Sequence, residues 1–328
     1  MKKRRKLKKK YKRLFTVLFL LVIGGIFWAK KATTPSTAKS TTTTSIAKVQ
    51  SKKTPQLNTS TYVQAVVNPA NVDEQIGANI TDTASLYEKP TTDSQTVSQV
   101  YDGEWLDYLG KQGEFYRVKT ADNQLAYLKK EDGVLKKYST AKTVSNLADL
   151  TVVLDPGHGG MDGGSVDSSQ TVLEKNLTLK TAQAVQKKLT AAGIHVIMTR
   201  TKDDEFVKLA KISELANQKN ANLLVSFHYD NYDFANQAEG FTTYYHSAKS
   251  KDIAAAIHTQ LAAKSPLNDR GLHEANYMVL RNTYAPSILL ELGYLNNDSD
   301  LAKMNTSSYR DYVAAAILKG LKTYYQLN

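Results

Sequence analysis

The chain has 328 residues, no cysteine and a formal net charge of +12 at neutral pH. That length leaves room for more than one domain, and the missing cysteines exclude a disulfide framework, a thiolate metal site and a cysteine nucleophile. Twelve of the 43 Lys/Arg residues lie in residues 1–31, and the remaining 31 balance 31 Asp/Glu, so no basic groove for phosphates is implied and nucleic acid is excluded as a partner.

Residues 1–13 form a basic head, and residues 14–29 are an uncharged, mostly apolar segment running from Leu14 to Ala29. Sixteen residues span about 24 Å as a helix, slightly short of a bilayer core, with flanking lysines able to snorkel. The heavier charge before the segment predicts a cytoplasmic head and export of everything after it. Ala29-Lys30-Lys31-Ala32 matches a signal-cleavage site poorly, which favours a transmembrane anchor over a cleaved, secreted form. Residues 30–76 are rich in Thr, Ser and Lys with few large apolar residues, and are expected to be a flexible linker.

Residues 77–138 change character. Short alternating segments, such as Trp105-Leu106-Asp107-Tyr108-Leu109 and Phe115-Tyr116-Arg117-Val118, recur between turn residues such as Asp102-Gly103 and Gln112-Gly113, which predicts a small all-β barrel. Residues 150–328 then alternate strand and helix. Strands are expected at 150–154, 195–199, 223–227, 241–245, 278–280 and 288–292, and helices near 175–192, 207–220, 250–264 and 309–325. This alternation predicts an α/β domain, with a mostly parallel sheet flanked by helices.

Four residues in that domain carry chemistry. His158 sits in a Gly-rich turn after an apolar strand, Glu174 opens a helix, and His228 and Glu291 end β-branched or leucine-rich runs. Two imidazoles and a carboxylate are a standard ligand set for catalytic zinc, leaving a second carboxylate free as general base. Taken singly, each has a plainer explanation: a first-turn acid complements the helix dipole, and a Gly-rich turn can cradle phosphate, although no Gly-Lys-Ser/Thr follows here. Glu291 is the most telling, because a carboxylate at the end of Ile288-Leu289-Leu290 is costly to bury without a cation or a task. Asp155 is a candidate to orient a ligand, and His273 a candidate to contact substrate.

The motifs Leu154-Asp155-Pro156-Gly157-His158-Gly159-Gly160, Glu174-Lys175-Asn176, Met198-Thr199-Arg200-Thr201, Val225-Ser226-Phe227-His228, Asp269-Arg270-Gly271-Leu272, Val279-Leu280-Arg281 and Ile288 to Asn296 occur in this order. With them residues 150–328 resemble the zinc-dependent N-acetylmuramoyl-L-alanine amidases. The resemblance implies one Zn2+ held by His158, Glu174 and His228, with Glu291 as catalytic glutamate. Arg270 and Arg281 lie in matching motifs and are carried as further candidates for supporting the site or touching substrate. Peptidoglycan is the implied substrate. Another exported zinc hydrolase, such as a stem-peptide peptidase, and a non-catalytic wall-binding protein are the alternatives. Ile212 and Asn222 depart from the family pattern, where arginine and aspartate are usual, and imply an altered local salt bridge. Residues 77–138 resemble a bacterial SH3 domain, implying wall binding, although Leu86-Tyr87 departs from its common Asn-Val-Arg segment. Only eleven residues, Tyr229 to Glu239, separate His228 from Gly240 and the strand that follows, too few to fold a plugging helix over the cleft.

Overall fold

The computed structural model describes residues 59–66, 83–139 and 144–328. The expected membrane segment, residues 14–29, lies outside them, and among the described residues no helix is long and apolar enough to cross a membrane.

The first domain is a seven-stranded antiparallel sheet in the order β3-β2-β6-β5-β4-β1-β7. Its strands are β1 (Thr59–Ala65), β2 (Thr83–Tyr87), β3 (Thr96–Tyr101), β4 (Trp105–Gln112), β5 (Phe115–Lys119), β6 (Leu125–Lys129) and β7 (Gly133–Ser139). Inward residues of alternating strands, among them Val63, Leu86, Val100, Leu106, Val118 and Leu128, make its core. β1 corrects the expected linker 30–76: seven of those residues pair along their length with β7 and also meet β4. Its apolar content is low, but Tyr62, Val63 and Ala65 are all buried. Two neighbouring strands supply the partners that local composition does not reveal.

The second domain has a six-stranded sheet ordered β12-β11-β13-β10-β8-β9. The strands are β8 (Thr151–Pro156), β9 (His195–Met198), β10 (Leu223–Asp230), β11 (Phe241–Tyr245), β12 (Asp269–Glu274) and β13 (Ser287–Tyr294). β9, β8, β10 and β13 run parallel, whereas the edge pair β11 and β12 runs opposite to them. Helices α1 (Glu174–Ala191), α3 (Ala248–Ala262) and α6 (Ser307–Tyr325) pack on one face through Leu177, Val185, Ile253, Ile257, Val313 and Ile317. The other face carries α2 (Leu209–Gln218) and the single turn α4 (Met278–Arg281), with a smaller core at Val153, Ile212, Leu224, Leu280 and Leu289. A short helix α5 (Asp298–Met304) follows β13.

Residues 278–280, expected as a strand, form α4 instead: three apolar residues satisfy either pattern, and here Val279 and Leu280 seal the smaller core. β12 was not foreseen, because Asp269-Arg270-Gly271 reads as a turn. Ile212 is packed in the smaller core, and Asn222 accepts from the Thr151 backbone N–H at 2.8 Å, so these positions serve packing and strand alignment. Residues 231–240 contain no helix, in keeping with the short connection.

Side-chain alternation places the functional residues. On β10 the odd-numbered Val225, Phe227 and Tyr229 enter the larger core, so His228 faces the α2/α4 side along with Leu224. On β13 the same rule puts Glu291 on the side of Leu289. His228 and Glu291 are directly paired in register, near the C-terminal ends of adjacent parallel strands. This is the edge at which open α/β sheets present their functional groups.

Candidate metal centre

Three of the four sequence-selected residues converge on one carboxylate oxygen. Oε1 of Glu174 lies 3.1 Å from His158 Nε2 and 3.0 Å from His228 Nδ1. One ligand atom from each residue falls within 4.8 Å of the others, and the two imidazole rings stand 5.0 Å apart at 79°. Atoms bound to a tetrahedral zinc at 2.0–2.1 Å sit about 3.3 Å apart, so the donor set fits such an ion with little adjustment.

The backbone is built to bring these groups together. His158 occupies a left-handed conformation, φ 64°, turning the chain sharply after β8. A side chain on Gly157 would overlap the His228 ring and the Phe227 carbonyl, so glycine is needed where β8 leaves the sheet beside β10. Glu174 is almost fully buried and held from both sides: its Oε2 accepts from Ser165 N at 2.8 Å and its Oε1 from Tyr229 N at 3.1 Å. Burial disfavours its charged form, but the two histidines more than offset that and hold it below the ordinary glutamate range. Burial likewise opposes the His158 imidazolium, yet Glu174 and Asp162 raise its pKa to about 11. A metal ion at the centre would compete with a proton for the His158 nitrogen.

Asp162 is a residue that sequence reasoning missed. Its Oδ2 lies 2.9 Å from His158 Nδ1, fixing the ring so that Nε2 faces the centre, the usual arrangement behind a metal-bound imidazole. Arg200 is another. It is buried, and donates from Nε to Pro156 O at 2.9 Å and from Nη2 to Gly157 O at 3.0 Å and Lys175 O at 2.9 Å. This guanidinium therefore ties the His158 loop to the first turn of α1, which carries Glu174. Both had a signal available: Asp162 is four residues beyond His158, and Arg200 lies within the Met198-Thr199-Arg200-Thr201 motif at the end of β9.

Glu291 sits beside this cluster with a different environment. Its Oε2 is shielded from solvent and has no hydrogen-bond partner. Burial, then the charges of Asp230 and Glu174, push its pKa well above the ordinary value. Asp230, two residues beyond His228 on the same face, was also missed. Burial raises it too, and the Tyr294 hydroxyl donates to it. Tyr244 and Tyr277 complete the surroundings, packed edge to face at 5.4 Å. Burial first, then nearby carboxylates including Glu291, raise both phenols, that of Tyr244 to about 12.

The remaining candidates are distributed differently. Asp155 does not touch the imidazoles; it accepts from Thr199 Oγ1 and Ser226 Oγ, each at 2.7 Å, and so bridges β8 to β9 and β10. Arg270 lies over the Tyr294 ring at 5.1 Å, and its charge reaches Asp230 and Tyr244. His273 is exposed, with Nε2 2.8 Å from Arg270 O. Arg281 is buried where the two domains meet. Tyr229 faces the larger core, where its hydroxyl pairs with Thr181 Oγ1 at 2.7 Å.

Comparison with known proteins gives a consistent picture. The N-acetylmuramoyl-L-alanine amidase family model matches residues 152–323, and a bacterial SH3 domain model matches residues 82–133. The "Probable cell wall amidase LytH" of Staphylococcus epidermidis is 35% identical over 257 residues, covering 77% of this chain and 86% of that protein. Its Staphylococcus aureus counterpart is 32% identical over 259 residues, covering 78% and 87%. Among solved structures, the catalytic domain of CwlV, an amidase from Bacillus (Paenibacillus) polymyxa var. colistinus, aligns with TM-score 0.52 at 33% identity, over 55% of this chain and 99% of that one. An N-acetylmuramoyl-L-alanine amidase from Clostridium difficile 630 aligns with TM-score 0.52 at 34% identity, over 54% and 97%.

Arg200 yields a stability prediction. Arg200→Ala removes the guanidinium's bonds to the carbonyls of Pro156, Gly157 and Lys175, each contributing about 1.5–3 kcal/mol, and leaves Gly157 O and Lys175 O with Thr178 Oγ1 as a remaining donor. Denaturant unfolding of the metal-stripped protein is expected to show a loss of at least about 3 kcal/mol, reduced from that simple sum by relaxation. A loss under about 1 kcal/mol would mean that the loop and helix hold together without it.

Proposed function

The chain belongs to the N-acetylmuramoyl-L-alanine amidase family, and on that premise we propose that His158, Glu174 and His228 hold one zinc ion beside Glu291 as general base. The reaction is hydrolysis of the amide joining N-acetylmuramic acid to the L-alanine of the peptidoglycan stem peptide. The observation that carries the site assignment is the shared Glu174 oxygen, reached by both imidazoles next to a carboxylate with an unpartnered buried oxygen.

When bound, zinc supplies Lewis acidity for the amide carbonyl and makes water more acidic. The chain's own residues do the rest. His158 and His228, with Glu174 between them, define where the carbonyl carbon must sit. Asp162 keeps the His158 ring from turning away. Glu291 takes a proton from the attacking water at its carboxylate, and gives it to the amide nitrogen as the carbon–nitrogen bond breaks. The products are a lactyl carboxylate on the sugar and a free L-alanine amine on the peptide. Asp230, which accepts from the Tyr294 hydroxyl, adds a second carboxylate beside Glu291. To Arg270 and His273, both on β12, we assign contact with the substrate's polar groups beyond the scissile bond.

Residues 59–139 form the wall-binding domain in this reading, supported by the bacterial SH3 match. Residues 14–29 anchor the chain, so that the amidase works outside the membrane on the wall. The cell wall amidase relatives support the extracellular part of that statement.

Three outcomes test these assignments. Metal analysis is expected to find one zinc per chain, lost together with activity in His158→Ala and in His228→Ala. Full metal retention in either variant would show the ligands to be misassigned. Glu291→Gln is expected to keep its zinc while turnover on muropeptides falls at least ~10²-fold, the scale of lost acid–base catalysis; near-normal turnover would move the proton role elsewhere. For the anchor, native protein is expected in the membrane fraction with residues 1–31 intact by mass spectrometry. A mature start between Ala29 and Ser40 would instead mean a secreted enzyme.

A further inference from the structure

The two domains meet through a dense, specific contact. Tyr284, in the connection from α4 to β13, lies among barrel aromatics: its ring centroid is 4.3 Å from Tyr62, 4.1 Å from Tyr138 and 5.3 Å from Trp105. Lys249 Nζ sits 4.0 Å over the same ring. Trp105 Nε1 donates to Asn282 O at 2.9 Å, and His246 Nε2 lies 2.9 Å from Glu104 Oε1. Gly103, at φ 83°, turns the β3–β4 connection directly against Asn282, and any side chain there would run into the Asn282 amide. A barrel that acted only as a tethered binder would not need a turn fitted this closely to the enzyme.

Arg281 joins this contact to the cleft. It is buried, and its Nε donates to Asp102 O in the barrel turn at 3.0 Å. Its Nη1 donates to Asn276 O at 3.0 Å, in the segment between β12 and α4. The next residue is Tyr277, which packs on Tyr244 and stands close enough to Glu291 and Asp230 for their charges to disfavour its phenolate. One planar side chain thus spans the barrel and the segment that walls in Glu291.

We propose that Arg281 is a positioning residue of the amidase reaction, holding the Asn276–Tyr277 wall of the cleft to the barrel's Asp102–Gly103 turn, so that the barrel is a working part of the catalytic unit. A misplaced wall admits water beside Glu291 and loosens the approach of the amide, which lowers turnover more than affinity. The inference rests on Glu291 as the base. Assaying wild type and Glu291→Gln in parallel keeps a failure of that assignment distinguishable from a failure of this one.

The test uses the full chain and a small soluble muropeptide, on which wall binding by the barrel contributes nothing. Arg281→Gln cuts the link from the enzyme side, and Gly103→Ala pushes the barrel turn off Asn282 from the other. Both are expected to lower kcat about 10- to 100-fold with KM nearly unchanged, while metal content stays at the wild-type level. Arg281→Lys, which keeps the charge but not the two-sided reach, is expected to fall between Gln and wild type. A folded, metal-loaded Arg281→Gln with wild-type kcat would overturn the proposal, whatever its melting temperature. If that variant fails to fold, wild-type kcat in Gly103→Ala would overturn it equally.

Discussion

Everything in the catalytic domain is arranged around one buried carboxylate oxygen, Oε1 of Glu174. Two imidazoles and a backbone N–H converge on it. A buried anion with this many donors is tolerable only because its partners are fixed. Each partner therefore brings its own requirement. His228 requires the exact register of β10 against β8 and β13, His158 requires a left-handed turn after β8, and Glu174 requires the first turn of α1 to sit under that loop. Arg200 supplies the bonds between the last two. Glu291, one strand over, keeps one buried oxygen without a hydrogen-bond partner.

Much of this was legible in the chain. The apolar runs ending in His228 and Glu291 announce parallel strands with chemistry at their ends, because strand alternation fixes both which face a side chain takes and which neighbours it meets. Helix α1 follows from its apolar spacing, and its stop from Ala192-Gly193. Less legible were features that depend on partners distant in sequence. β1 carries too little apolar residue content to announce itself, and acquires its strand from β7 and β4. α4 and β12 are short segments whose local pattern fits more than one state, and packing decided between them. Asp155 looked like a support for a histidine ligand, yet it serves two hydroxyls on the neighbouring strands. Spacing along the chain gives adjacency to the site but not the partner chosen.

The barrel changes how the protein is best pictured. Its resemblance to wall-binding modules suggests a separable domain on a string, but Tyr284, Trp105 and Arg281 bind it firmly to the enzyme. Aromatic packing at Tyr284 supplies the apolar area, and the backbone-directed bonds of Trp105 and Arg281 fix the orientation. Wall recognition and cleavage then occur at a set distance on one body, a constraint that a free tether would not impose.

The central claim is that a metal held at Glu174 lets this chain cut one particular amide. It is tested most directly by labelling new amino termini in purified peptidoglycan treated with chelated protein and with the same protein after zinc is restored. Free L-alanine amines are predicted to appear only with zinc, matched by uncapped muramic acid carboxylates. New termini at residues within the stem, or equal release of L-alanine amines under chelator, would contradict the account.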